Sequence, residues 1–291
     1  MKNLPKIAMG AWAWGDTDGY FGNTMTGEEF RPIFEAAVNA GLNLWDTATA
    51  YSNGESERIL GKLVNDAGRE KIIVSTKFTP QMAGMYGDSV VKMCEASLER
   101  MNMEYFDIYW IHNPIGAPEY TKQLIPLLQS GKVKSVGVSN HNLAQIKEAD
   151  EILKAAGYRV SAVQNHYSLL NRSSEESGIL DYCKANDIVF YGYMTLEQGA
   201  LSGKYDAEHP FPEGSARAKV FNPMMKQIEV VTAELKKVAE AHGVSAAQIA
   251  TAYAVNKGAL PILGVTKMYQ VEEVVKTADI VLTTEEVASL E

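Results

Sequence analysis

Short apolar runs without polar alternation recur along the chain, at residues 6–14 (KIAMGAWAW), 42–46 (LNLWD), 71–77 (KIIVSTK) and 106–112 (FDIYWIH). They continue at 133–140 (VKSVGVSN), 160–167 (VSAVQNHY), 187–194 (DIVFYGYM) and 259–265 (ALPILGV). Runs of this length read as strands buried on both faces. Between them the apolar positions take helical spacing, as at 28–41, 89–101 and 143–157, the last closed by Gly157 as a C-cap. Strand ends fall at about 46, 77, 112, 139, 165 and 193, so each interval is one strand plus one crossover helix. Eight such units predict an α/β fold, a parallel (β/α)8 TIM barrel forming a single domain over 1–291, with an N-terminal strand or hairpin capping the barrel bottom. An open doubly wound sheet would carry a glycine fingerprint after its first strand, and no G-x-G-x-x-G occurs. GALSGKY at 199–205 has the wrong spacing for a phosphate loop. The stretch 206–223 is expected to be a long loop of the lid or binding type.

Composition narrows the function classes. With 291 residues, 46% hydrophobic and 22% charged, the chain has enough apolar material for a full core. A formal charge of −9 disfavours nucleic acid and anionic membranes as partners. Two cysteines, Cys94 and Cys183, each on a helical pattern, give no disulfide framework, and no signal-type or membrane-length apolar run occurs, so a cytoplasmic protein is expected. No cluster has metal-ligand spacing.

Ionisable residues stand directly at three successive strand ends: Asp46, Lys77 and His112. Barrel strands end on one rim, and Tyr51, five residues past Asp46, is close enough to fold over it. A tyrosine is a poor proton donor until its anion is stabilised, and a lysine about 4 Å away is worth on the order of 4 kcal/mol at an effective dielectric of about 20. Lys77 is therefore expected to lower the Tyr51 pKa, with Asp46 keeping the lysine charged. A neutral His112 would donate to a substrate oxygen. The set lacks the second carboxylate, activated nucleophile or metal cluster that glycoside, acyl or metal hydrolysis requires. Carbonyl reduction has its parts.

From about residue 7 to the end the chain resembles the aldo-keto reductase superfamily, in MGAWAWG, NLWDTATAYSNGESE, TKFTP, DIYWIHNP, GKVKSVGVSN, VQNHYSLLNR, LEQGALSGKY and PILGVTKMYQVEE. The resemblance implies a catalytic tetrad of Asp46, Tyr51, Lys77 and His112 with Tyr51 as general acid. It implies an NADPH or NADH cofactor lying across the rim, with Ser139, Asn140 and Gln164 at the carboxamide and Tyr193 stacked on the nicotinamide. Leu196, Gly199 and Leu201 match the pyrophosphate strap. Gly264, Thr266, Lys267, Gln270 and Glu273 match the adenosine end, and Trp12 and Trp14 would border a small carbonyl substrate. The strap reads Tyr193, Met194, Thr195, Leu196, without the proline usual at its third position, so a less rigid loop is expected. Gly264 and Gln270 stand where other branches carry a lysine and an arginine for the 2′-phosphate, leaving Thr266 and Lys267 for that role, and Val274 replaces an adenine-end asparagine. The chain ends at TTEEVASLE without a longer tail, so an open pocket is expected.

His166 is expected to be packed or hydrogen-bonded, and His141, His209 and His242 to lie at the surface. Two other functions fit the same fold: a cofactor-binding sensor or regulatory protein, and an aldolase-type barrel with Lys77 as Schiff-base nucleophile. The neighbouring Asp46, expected to keep Lys77 in its ammonium form, argues against the latter. The sequence leaves the oligomeric state open.

Overall fold

The computed structural model describes residues 4–16, 19–22 and 25–291. Each apolar run supplies a strand: β1 (Ala8–Gly10), β2 (Leu44–Asp46), β3 (Ile73–Phe78), β4 (Phe106–Ile111), β5 (Val133–Ser139), β6 (Ala162–His166), β7 (Val189–Tyr193) and β8 (Leu260–Gly264). All neighbours pair in parallel and in sequence order, and β8 returns to β1 through Gly10 opposite Gly264, closing the barrel. The expected strand or hairpin below the barrel has no counterpart among the described residues. The first apolar run is itself a stave, and residues 4–7 ahead of it form no strand.

Strand parity divides the core in two. Ala8, Leu44, Ile108, Trp110, Ala162, Tyr191 and Leu260 fill the barrel interior. Alternate residues such as Met9, Trp45, Val74, Tyr109, Val136, Val163 and Phe190 face the helix layer. Interior filling demands Gly137: a Cβ there would sit 2.4 Å from the Trp110 indole. Two residues above the interior layer, the same parity brings Gly10, Asp46, His112, Gln164 and Tyr193 to the C-terminal rim. Ser75 and Lys77 continue that parity on β3 from Ile73, and Gly264 continues it on β8 from Ile262.

The stretch 206–223 carries its own small core rather than a free loop. Phe211 is fully buried, stacks on Tyr205 with ring centroids 3.8 Å apart, and packs with Phe221 of the helix Ala216–Phe221 and with Met225 and Ile228. Cys94 and Cys183 are buried free thiols. None of the described helices is long and apolar enough to cross a membrane.

Candidate active site

The ends of β2, β3 and β4 bring Asp46, Lys77 and His112 together, and the turn Tyr51–Gly54 folds Tyr51 over them. Lys77 is wholly buried. Its ammonium is ion-paired with Asp46 Oδ2, donates to the Thr47 carbonyl at 2.7 Å and lies 3.4 Å from Tyr51 Oη. Asp46 Oδ1 accepts from Ser75 Oγ at 2.5 Å and from Gln164 Nε2 at 3.3 Å. The His112 ring meets Tyr51 edge-on at 6.0 Å between centroids, and its Nδ1 pairs with the Thr79 hydroxyl at 3.1 Å. The four residues expected to converge do so.

A second buried charge pair braces this half from behind. Glu57, in the first turn of the helix Glu55–Ala67, is 0% exposed and ion-paired with Arg100. Its Oε1 accepts from Thr76 Oγ1 at 2.6 Å, on the outward face of β3 next to Lys77. Arg100 also runs beneath the tyrosine turn, where Ser52, Asn53 and Gly54 are all left-handed (φ 47°, 53° and 86°). A Cβ at Gly54 would lie 2.7 Å from Arg100 Nε, so that position admits only glycine. Glu57 stood in a quoted motif, yet nothing in the sequence marked it as the brace of the tyrosine turn.

Electrostatics correct one expectation. Burial raises the Tyr51 pKa and outweighs the lowering by Lys77, while Asp46 adds a further rise. Tyr51 is therefore a firmly protonated donor rather than an acidified one. Burial works to lower the Lys77 pKa, but Asp46 and Tyr51 prevail and it is raised, so the ammonium stays charged. His112 is depressed to about 3 by burial and by the Lys77 charge, and is neutral at physiological pH.

The two N-terminal tryptophans part company. Trp12 is 40% exposed, stacks on Tyr51 with centroids 5.9 Å apart and groups with Tyr20 and Phe21, forming an aromatic wall over the tetrad. Trp14, also expected at the substrate, is fully buried: its ring packs on Phe30 and Trp45, and its Nε1 donates to the Val265 carbonyl at 2.9 Å. The chain turns immediately after β1, and that turn carries Trp14 into the helix layer.

On β5 and β6, Ser139 and Gln164 are buried at the rim, and Asn140 adopts φ 61° beside them. Asn140 Nδ2 donates to the His112 carbonyl (2.9 Å) and to Ser139 Oγ (3.2 Å), and its Oδ1 accepts from Tyr193 Oη at 2.6 Å. Past β7 the chain runs through left-handed Met194, Glu197, Gln198 and Gly199. Leu196 and Gly199 are part-exposed there, but Leu201 is not: its side chain is in the main core and its N–H is taken by the Leu196 carbonyl. At β8, Gly264 is exposed, and Gln270 Oε1 accepts from the Thr266 and Lys267 amides at 2.8 and 2.9 Å, capping the helix Met268–Thr277. Lys267 is exposed, Glu273 is half-buried with its carbonyl bonded by Gln248 Nε2, and Val274 is buried. Gln198 Nε2 donates to Tyr20 Oη at 3.1 Å, joining the turn after β7 to the segment after β1, a contact the sequence did not disclose. His166 is hydrogen-bonded and stacked, as expected. His141, expected at the surface, is buried because its Nδ1 pairs with the Ser139 carbonyl at 2.7 Å.

Comparison with known proteins bears on the family and the fold. The aldo/keto reductase family model matches residues 6–291. A chloroplastic pyridoxal reductase of Arabidopsis thaliana is 29% identical, over 99% of this chain and 83% of the relative. An aldo-keto reductase of Alternaria alternata is 30% identical, over 91% of this chain and 81% of the relative. Among solved structures, a glycerol dehydrogenase from Gluconobacter oxydans superposes with a TM-score of 0.85 at 26% identity, covering 100% of this chain and 91% of that one. An aldo-keto reductase from Klebsiella pneumoniae in complex with NADPH shares the fold at 23% identity and TM-score 0.77, covering 99% and 90% of the two chains. The chain belongs to the aldo/keto reductase family.

Proposed function

We propose that the protein reduces aldehyde or ketone carbonyls with a nicotinamide cofactor, NADPH in preference to NADH, and that Tyr51 is the proton donor. The observation that carries this reading is the Lys77 ammonium, held by Asp46 and the Thr47 carbonyl within 3.4 Å of the Tyr51 hydroxyl. The rim fits the cofactor. Gln164 spends its Nε2 on Asp46, while its amide oxygen takes no hydrogen bond from any described residue and, with Ser139, suits a carboxamide. Gly10 and Gly264 leave the β8–β1 side of the rim without side chains. Ser139, Asn140, Gln164 and Tyr193 would hold the nicotinamide end, Leu196 and Gly199 the middle, and Thr266, Lys267, Gln270 and Glu273 the adenosine end. When bound, the reduced nicotinamide supplies a hydride to the carbonyl carbon. The preference for NADPH rests on Lys267 at the adenosine end, and the name of one relative, an NADP(+) aldo-keto reductase of Schizosaccharomyces pombe, is in keeping with it.

The chain's own groups do the proton work. With the Thr79 hydroxyl donating to His112 Nδ1, the neutral imidazole carries its proton on Nε2, which is free to donate to the carbonyl oxygen. Tyr51 Oη then delivers its proton to that oxygen as negative charge develops. Lys77, whose charge Asp46 secures, stabilises the tyrosinate left behind. The wall of Trp12, Tyr20 and Phe21 suits an apolar or ring-bearing substrate.

The test is Tyr51→Phe, assayed for oxidation of NADPH and NADH against aldehydes, ketones and aldoses. Turnover should fall about 10²-fold or more with cofactor binding retained. Near-wild-type reduction by the variant removes the mechanism, and NADPH binding without turnover by the wild type favours a sensor.

A further inference from the structure

We infer that Glu197 and His166 act as a positioning pair, holding the Tyr193 ring and the turn after β7 in the shape that receives the dinucleotide; this rests on the reading of the rim as a nicotinamide site. Glu197 is 4% exposed, carries no Lys or Arg partner among the described residues and sits at φ 47°, a conformation an L residue rarely adopts. Its Oε1 accepts from Ser168 Oγ and pairs with His166 Nε2, each at 2.5 Å. His166 Nδ1 is met by Asn171 Nδ2 at 2.9 Å, while Asn171 Oδ1 is engaged by the Ser173 amide and hydroxyl. One arrangement satisfies every partner: Asn171 donates to Nδ1, and His166 donates from Nε2 to the carboxylate.

The His166 ring lies against Tyr193, 5.5 Å between centroids at 22°. Tyr193 in turn donates to Asn140, which bonds the His112 carbonyl. The pair therefore backs the ring expected to face the nicotinamide and links the turn to the tetrad. The local fold does not need the carboxylate for its own closure, since the turn is already made by the Glu197 amide on the Met194 carbonyl and the Gly199 amide on the Leu196 carbonyl. A buried carboxyl group with no lysine or arginine partner among the described residues, on strained backbone, costs stability. Observed strain of this kind points to a use for the shape it enforces.

The experiment titrates NADPH into wild type, Glu197→Gln, His166→Ala and the double variant, reading quenching of protein fluorescence, with steady-state rates alongside. Each single variant should weaken NADPH binding about tenfold or more, the scale of a lost charge-assisted hydrogen bond. KM for the carbonyl substrate should be unchanged, and the double variant should bind no more weakly than the worse single one, because the residues act as a unit. His166→Phe, which keeps a ring against Tyr193 and loses only the hydrogen bond, should recover part of the loss seen with alanine. Wild-type NADPH affinity in Glu197→Gln and His166→Phe, or losses that add in the double variant, overturns the pair. Failure of the wild type to bind either NADPH or NADH instead overturns the reading of the rim itself.

Discussion

The two halves of the rim are built by different means. On β2, β3 and β4, buried charge does the holding: Lys77 with Asp46 at the front, and Arg100 with Glu57 behind. On β7 and β8 the turn after Tyr193 is shaped by the left-handed residues Met194, Glu197, Gln198 and Gly199 and by the buried Glu197 carboxylate, held by Ser168 and His166 rather than by a lysine or arginine, and the turn after β8 by Gln270 folded onto its own helix start. Proton transfer requires donor and acceptor fixed within a few tenths of an ångström, which an ion pair in a dry site supplies. Receiving a long dinucleotide requires a surface of fixed shape rather than a reactive charge, and strained backbone held by its neighbours supplies that shape.

The sharpest way to break this contrast is to remove one cation from each half. Lys77→Met leaves the Asp46 carboxylate buried without its partner, and loss of one member of a buried pair costs about 3–5 kcal/mol. Turnover should fall in addition by about 10²- to 10⁴-fold. Lys267→Met removes an exposed charge at the adenosine end and should change stability by less than about 0.5 kcal/mol while weakening NADPH more than NADH. Urea unfolding and steady-state kinetics on both variants check this. Equal stability losses would show that the two halves are built alike.

The next effect is one of pH. His112 has its folded pKa lowered to about 3, against about 6.5 when unfolded, so the unfolded chain binds the extra proton between those values. Its neutral form stabilises the fold fully above about pH 6.5, and that contribution is lost as pH falls. Between pH 8 and pH 5 the wild type should lose about 2 kcal/mol from this residue, and His112→Gln should not. Tyr51, held protonated by burial, should give no inflection in the reduction rate from pH 6 to 9. An inflection removed by Tyr51→Phe would mean that Lys77 dominates after all.

What the sequence disclosed follows the same division. Asp46, Lys77 and His112 were legible because a strand of fixed parity must end somewhere, and a charge placed there has only the rim to face. The sign of the Tyr51 shift was not legible, because burial depends on contacts made only in the fold, such as the Trp12 ring stacked on the tyrosine. Trp12 and Trp14 share a parity that would put both at the substrate, but the strand ends at Gly10 and the following turn sends Trp14 against Phe30. Leu201 lies away from the rim surface for a similar reason: the 3₁₀ turn Glu197–Ser202 places its side chain in the core. A glutamate in LEQGAL reads as solvated, and only three dimensions place Glu197 beneath a histidine and a serine thirty residues away.

The smallest expected effect tests whether the adenosine end is as passive as its geometry. Gln270 uses its amide oxygen on the Thr266 and Lys267 N–H groups, so Gln270→Ala frees two donors at a helix start and should cost about 1 kcal/mol, as loss of a cap does. Because that oxygen is already committed, the ratio of NADPH to NADH affinity should move by less than about threefold, and Lys267 should carry the discrimination between them. A larger change in the ratio, at unchanged stability, would mean that Gln270 abandons the helix to hold the 2′-phosphate. The cap at β8 would then yield to the ligand, unlike the turn after β7, which its own hydrogen bonds hold in place.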